Sequence, residues 1–474
     1  MEIKDRISQW VDSHRAELLR DIGRLVAVKS VRGEPAEGAP FGPGPRRALD
    51  EALALCGEYG FETKIYGGAV GAAFFSGKPS ALDILGHLDV VGEGEGWDTD
   101  PYTATEKDDG CLYGRGTDDD KGPVVIALYA MRCLKELGVE LSHGCRLIMG
   151  TDEESGSGDL PYFYKDNAPA PNTVTPDTGF PVYNTEKGRW APDLSAGWAK
   201  SDALPRVAAL PRVAALNGGF RVNVIPGDAT ALVLGLDADT ALWAAHEAAG
   251  KYGVDLLCEP AGDGVRLSVH GTQGHAAYPD GANNALTALL GIVAALPLSP
   301  DAPANAAVRA LADLFPHGAY GGEGLGIDQA DELSGPLTAS LNVIDLGEEG
   351  LTGKLDCRVP ICATYENCCA VAMKAMAAAG ISASGELTAP HHTPGDGEFV
   401  QTLLRCYETY SGRRGECLRT GGGTYVHDIE GGVGFGISMP GFESNLHGAN
   451  ERINIQDALT AVKIFALAAH DICK

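Results

Sequence analysis

No stretch of this 474-residue chain reaches the roughly 18 consecutive apolar residues that a membrane-crossing helix requires, so none is expected. Positive charge is scarce. Lys and Arg number 37 against 64 Asp and Glu, and the resulting net charge of −27 argues against nucleic acid or an anionic membrane as partner, because both demand cationic side chains to meet phosphate. The opening segment, MEIKDRISQWVDSHRAELLRDI, lacks the uninterrupted apolar core of a secretion signal. It reads instead as an amphipathic helix with Ile3, Ile7, Trp10, Leu18, Ile22 and Leu25 turned inward. Twelve cysteines, including adjacent Cys368 and Cys369, show neither C-x-x-C spacing nor a small disulfide framework, which favours free thiols in a cytoplasmic enzyme. There is no G-x-S-x-G elbow for a nucleophilic serine, HEAAG at 246–250 ends in Gly where a zinc helix needs its second His, and GKPS at 77–80 has Pro79 where a phosphate loop needs Ser or Thr.

What remains is ample apolar content, 44 % of residues, in a chain long enough to fill more than one core. From about residue 80, apolar strand runs alternate with helical patterns: ALDILGHLDVV, GPVVIALYAMRCLKELG, CRLIMGTDEE, NTVTPDTGF. This predicts an α/β domain with a mostly parallel sheet and helices on both faces. After EKGRW the character shifts to Ala-rich helices, such as DTALWAAHEAAGKYG and NALTALLGIVAAL, interleaved with the strand-like pieces FRVNVI, VRLSVH and KLDCRVP. The reading is a catalytic domain of residues 1–185 and 386–474, interrupted by an inserted α+β domain of residues 186–385. The tandem LPRVAA at 204–209 and 210–215 reads as an accidental duplication in a surface loop.

Five metal-ligand types occur at the ends of apolar runs or in turns: His87 in GHLD, Asp119 in GRGTDDDKG, Glu154 in TDEESG, Asp177 in TPDTG and His447 in LHGANE. Each alone has an ordinary reading as a surface acid, a cap or a structural histidine. Their joint occurrence favours a metal hydrolase. The clustered aspartates of GRGTDDDKG repel one another unless a cation relieves them, and Asp89, two residues beyond His87 on a strand, shares its face and can hold its ring. In the Glu153-Glu154 pair one acid can bind metal while the other faces water. A divalent metal lowers the pKa of a bound water from about 15.7 toward about 7, and Glu153 is then placed to take its proton. Two His, two Asp and one Glu suit zinc, with manganese or cobalt as alternatives.

The segments HLDVV, GRGT followed by DDKG, DEESG, PDTGFP with EKG, GTQGHAAYP, GGGTY and PGFESNLH with ANE resemble the aminoacylase and acetylornithine deacetylase superfamily of metallohydrolases, and most of all the bacterial PepV-type dipeptidases. The resemblance implies two divalent ions, one held by His87, Asp119 and Asp177 and the other by Asp119, Glu154 and His447, with Asp119 bridging. It implies that Asp89 orients His87, that Glu153 is general base and acid for a hydroxide held between the ions, and that His275 stabilises the oxyanion. Asn223 and Arg358 would bind the substrate carboxylate, although a structural ion pair at Arg358 stays open. The inserted domain would be a lid, of two similar halves, in a monomer that uses its own His275. Gly92 and Asp118 depart from the family pattern, and Asp118 adds negative charge before the bridging acid. A dipeptidase acting on small peptides is expected; an N-acyl amino acid deacylase of the same mechanism, or a non-catalytic peptide-binding relative, are the alternatives.

Overall fold

The computed structural model describes residues 1–198 and 210–474. Among these the chain divides into two compact units, one of Met1–Thr185, His392–Arg419 and Gly423–Lys474, the other of Glu186–His391 and Thr420–Gly422. The return at His392 follows from strand pairing, because Leu387–Thr388 pairs with Gly188–Trp190 inside the second unit.

The sheet of the first unit is parallel at its centre and turns antiparallel toward both edges, Val433–Gly434 pairing antiparallel with Val182–Glu186 on one side. Strand Ser80–His87 runs parallel to Gly144–Gly150 on one side and to Asn172–Thr175 on the other, and Asn172–Thr175 continues in parallel with Val433–Gly434. Val70–Phe74 and Glu62–Tyr66 complete the other edge in antiparallel register. Central strands covered on both faces must be apolar throughout. Leu82, Ile84, Leu85, Leu147 and Ile148 accordingly are at most 1 % exposed. Helix Lys121–Glu136 is buried along nearly its whole length and packs against Ile455–Cys473, Arg15–Val26 and the central strands. Each fully buried Leu, Ile or Val there contributes roughly 1.5–3 kcal/mol. Asn454 starts the last helix by accepting the Asp457 N–H at 3.0 Å.

The N-terminal segment forms two helices, Ile3–Ser13 and Arg15–Val26, rather than one. The break has a local cause: Nδ1 of His14 takes the Trp10 carbonyl at 2.7 Å, and the His14 ring stacks on the Trp10 indole at 3.9 Å. Ile7, Trp10, Leu18, Ile22 and Leu25 are buried, with Ile3 partly so.

The second unit is built on an antiparallel sheet ordered Asp255–Ala261, Gly264–His270, Asp228–Leu234, Arg212–Gly218, Thr338–Leu346, Gly350–Val359, Asp193–Gly197 and Ser382–Ser384. Ala229, Ala231 and Val233 alternate inward along one of these strands, as a sheet with one solvated face demands. Helix Ala285–Ala294 is buried and capped by Asn284, whose Oδ1 accepts the Leu286 and Thr287 N–H groups. VRLSVH and KLDCRVP lie in full-length strands, whereas only Val224–Ile225 of FRVNVI pairs, against Gly274–His275. The first LPRVAA copy lies outside the described residues. The second is no loop: Arg212–Gly218 is a strand with Val213 and Leu216 buried, because the sheet and the Asn305 side chain satisfy its backbone. All twelve cysteines carry free thiols. No described helix is long and apolar enough to cross a membrane.

Candidate metal centre

Five segments of the first unit deliver the five proposed ligands to one place. His87 ends the central strand, Glu154 sits in the short 3-10 turn Glu153–Ser155 that follows strand Gly144–Gly150, and Asp177 follows strand Asn172–Thr175. These are the carboxyl ends of parallel strands, where open α/β sheets hold their ligands. Asp119 precedes helix Lys121–Glu136, and His447 precedes the short strand Arg452–Asn454.

His87 Nε2 lies 2.9 Å from Asp119 Oδ1 and 3.8 Å from Asp177 Oδ2. His447 Nε2 lies 2.8 Å from Asp119 Oδ2 and 3.3 Å from Glu154 Oε2. Two groups of potential ligands result, His87 with Asp119 and Asp177, and Asp119 with Glu154 and His447, each with donor atoms within 4.8 Å of one another. Asp119 turns one oxygen to each.

The residues fit divalent cations. Glu154 Oε1 is buried with no hydrogen-bond partner, and His87 Nε2, buried too, faces only the carboxylate oxygens of Asp119 and Asp177, an arrangement that costs free energy unless something else meets those lone pairs. Burial, and behind it the charges of Glu154, Asp119 and Asp89, pushes Glu153 up to about 8. Burial and Asp119 also raise Glu154 and hold Asp177 well above the usual carboxylate range. Against the effect of burial, contact with Asp119 and Glu154 lifts His447 to about 10. A bound cation reverses this logic by favouring carboxylates and neutral imidazoles.

Residues 84–471 match the description Peptidase family M20/M25/M40. The chain belongs to this peptidase family. The peptidase is 30 % identical to the Beta-Ala-Xaa dipeptidase of Lactobacillus delbrueckii subsp. lactis, covering 98 % of each chain. It is also 30 % identical to YtjP of Bacillus subtilis (strain 168), over 97 % of this chain and 98 % of that one. Among solved structures, human carnosine dipeptidase 1 shares the fold with a TM-score of 0.61 at 16 % identity, covering 100 % of this chain and 99 % of that one. A metallo-carboxypeptidase from Sulfolobus solfataricus does so with a TM-score of 0.60 at 16 % identity, over 96 % and 98 %.

Several residues of the peptidase carry work that the sequence did not announce. The ring of His87 is held through Nδ1 by the backbone carbonyl of Asp89 at 3.0 Å, with the Asp89 carboxylate farther away at 3.5 Å. That carboxylate accepts the N–H groups of Glu153 and Glu154, at 3.1 and 3.2 Å, and so sets the acidic turn as well. Asp120 Oδ2 accepts the His87 N–H at 3.0 Å. A side chain at Gly86 would put Cβ 2.5 Å from that oxygen, which explains the glycine. Asp159 accepts the Thr151 and Asp152 N–H groups and the Tyr425 hydroxyl, bracing the start of TDEESG from below. Asp118 turns its carboxylate to the Ser438 hydroxyl at 2.6 Å, and burial raises it to about 6.

His275, Asn223 and Arg358 belong to the second unit. His275 is exposed and sits on the two-residue strand opposite Val224, and the Asn223 carbonyl accepts the Ala276 N–H at 3.0 Å. Arg358 is buried and spends Nε and Nη2 on Asp356, at 2.6 and 3.2 Å, and Nη1 on the Gly421 carbonyl at 2.8 Å. The Gly421 N–H in turn meets the Tyr278 hydroxyl at 2.9 Å, so a polar chain runs from Arg358 to the turn beside His275. The structural ion pair at Arg358 is therefore present, and only its outer donors are left for a ligand.

Proposed function

We propose that the protein is a metal-dependent dipeptidase with a two-cation site at His87, Asp119, Asp177, Glu154 and His447. The observation that carries this reading is the pair of ligand groups sharing Asp119, with Glu153 beside them. The dipeptidase name of a relative matched along its full length supports the substrate class. When bound, divalent ions acidify water and polarise a carbonyl. Glu153, its backbone fixed by Asp89, takes the proton of the attacking water and hands it to the departing amine. His275 donates to the oxygen that becomes negative, and Asn223 with the outer donors of Arg358 holds the peptide's carboxylate. The second unit acts as a lid, excluding water once substrate is bound. Zinc is the proposed metal, on the mixed imidazole and carboxylate donor set. We further propose a cytoplasmic monomer.

The test is to strip the full chain with chelator, restore zinc, manganese or cobalt separately, and compare hydrolysis of free dipeptides with their N-acetylated counterparts. Metal-restored release of amino acids from free dipeptides is expected. Preference for the acetylated substrates would move the reading to an N-acyl amino acid deacylase, and tight metal binding without turnover on either would leave a peptide-binding relative. Sedimentation as an obligate dimer would sink the monomer.

A further inference from the structure

His447 occupies an awkward position for a ligand. Its backbone is in the left-handed region, with φ of 59°, and its side chain is 51 % exposed, so packing does not hold the ring. Asn445 and Asn450 are also left-handed, and a segment of that kind keeps its shape only if the surroundings determine it. Something must therefore fix the backbone from which the imidazole projects.

A buried ion pair does so. Arg115 and Glu451 are 1 % and 0 % exposed, and Arg115 Nη1 meets Glu451 Oε2 at 2.5 Å. Arg115 Nη2 donates toward the carbonyls of His447 and Gly448, at 3.3 and 3.0 Å, gripping the very peptide units that carry the ligand. Glu451 Oε1 accepts three N–H groups, from Gly116 at 2.9 Å, Asp118 at 3.0 Å and Asp119 at 3.2 Å, gripping the loop that carries the shared acid. The Gly114 N–H adds a fourth tie by donating to the Glu451 carbonyl at 3.0 Å. One side chain thus holds the His447 segment, the other holds the Asp119 loop, and a salt bridge couples them. Burying such a pair gains little stability over an apolar pair of the same volume, since desolvation offsets the attraction. Its return lies in placement.

We infer that Arg115 and Glu451 are positioning residues for the second cation, locking the His447 backbone to the Asp119 loop and so setting the ligand spacing at Asp119, Glu154 and His447. The first group depends on the pair less, because His87 is fixed within the sheet and by Asp120 and Asp89. The inference rests on the two-cation reading.

The experiment is a calorimetric titration of the chelator-stripped full chain with zinc, repeated with cobalt to follow its visible spectrum. It compares wild type, Glu451→Gln, Arg115→Met and the double variant Arg115→Met/Glu451→Met, with melting curves of each metal-free protein alongside. Gln keeps the oxygen that accepts the three N–H groups but sets an amide NH2 against the guanidinium, breaking the coupling alone. Wild type should take up two ions. The single variants should bind one ion within about 3-fold of wild type and the other roughly 10- to 100-fold more weakly, the usual range for partners that orient ligands. The double variant leaves no buried charge unpaired but strips the Gly116, Asp118 and Asp119 N–H groups of their acceptor, so it should melt below Glu451→Gln and keep the weakened second site. Recovery of wild-type affinity for both ions in the double variant, or equal weakening of both ions in step with lost stability, would mean that the pair is merely structural. A wild type that takes up no ion would instead defeat the two-cation reading itself.

Discussion

In the first unit, His87, Asp89, Asp119, Asp120, Asp159 and Glu451 are buried within one neighbourhood, and the hydrogen bonds around them leave Glu154 Oε1 unmet and His87 Nε2 facing only carboxylate oxygens. In the second unit, buried Asp356 is answered by Arg358 and Arg189, and Asn284 and Asn305 spend their amides on backbone groups. Ser340 and Asn342 are buried as well and bond to each other, beside a hydrophobic cluster of Trp190, Leu267, Leu289, Ile292, Val308 and their neighbours. The second unit answers the buried charge of Asp356 internally, leaving among its described residues only neutral atoms such as Asn283 Oδ1 and Thr338 Oγ1 unpartnered, whereas the first has kept an imbalance of charge that an external cation would settle. Buried charge that is expensive for folding marks the site, so damage to the two units should be seen in different measurements.

The largest effect should come from Asp119→Ala. It removes the acid common to both groups, so metal analysis should show both ions lost and activity should fall by roughly four orders of magnitude or more, as when members of one catalytic unit are removed. Retention of one tightly held ion would break the shared-ligand geometry. Glu153→Gln comes next. The loss in kcat should be roughly 10²- to 10⁴-fold, the range for a general acid and base, with both ions still bound. In the second unit, Trp190→Ala should cost about 3–5 kcal/mol of stability, measured by denaturant unfolding, while ion stoichiometry stays at the wild-type value. A changed stoichiometry there would blur the contrast between the units.

The fold and the clustering of the candidate ligands were legible for a common reason. Both are written in local patterns: an apolar run ending in a chemically loaded residue announces His87 and Asp177, and a Gly-rich acidic turn before a helix announces Asp119. The supporting residues were not legible in this way. Glu451 read only as the last residue of LHGANE, without a role, and its importance arises when strand Arg452–Asn454 pairs with Cys111–Tyr113, more than 300 residues away along the chain, and so brings the two loops together. Asp120 read as one more acid in a run, because nothing in DDDKG says which aspartate joins the candidate ligand cluster and which faces the His87 backbone. Asp89 was assigned to the correct histidine, but through its side chain, since residues two apart on a strand share a face. The strand ends at His87, and the backbone beyond it turns so that the carbonyl does that job. Arg358 shows the converse difficulty: a guanidinium on a strand suggests a carboxylate, and the sequence cannot say whether that carboxylate belongs to substrate or to Asp356 two residues earlier.

The smallest expected effect is also the one whose sign separates the units most cleanly, the stability of the chelated protein against pH. Glu153 is raised from 4.5 to about 8, and Asp177 is raised well above 3.8. An acid raised on folding binds more protons in the folded state than in the unfolded one, so stability falls as pH climbs from the unfolded value toward the folded one. His447, raised to about 10 from 6.5, contributes stability that is present below 6.5 and lost as pH rises through 10. Asp119 is depressed, so its contribution is in place above 3.8 and does not change in this window. These groups of the ligand cluster pull the same way, opposed by buried Lys121, lowered to about 7, and by His317, also lowered by burial, and on balance the melting temperature of the chelated chain should fall between pH 5 and pH 8.5. Asp177→Asn removes one raised acid while keeping its volume. At pH 8 the chelated variant should melt roughly 2 °C higher than chelated wild type, and with zinc added the order should invert, because only wild type retains the complete first group of ligands. Should the chelated variant melt lower than wild type, Asp177 would be a stabilising carboxylate, and the imbalance assigned to the first unit would not reside there.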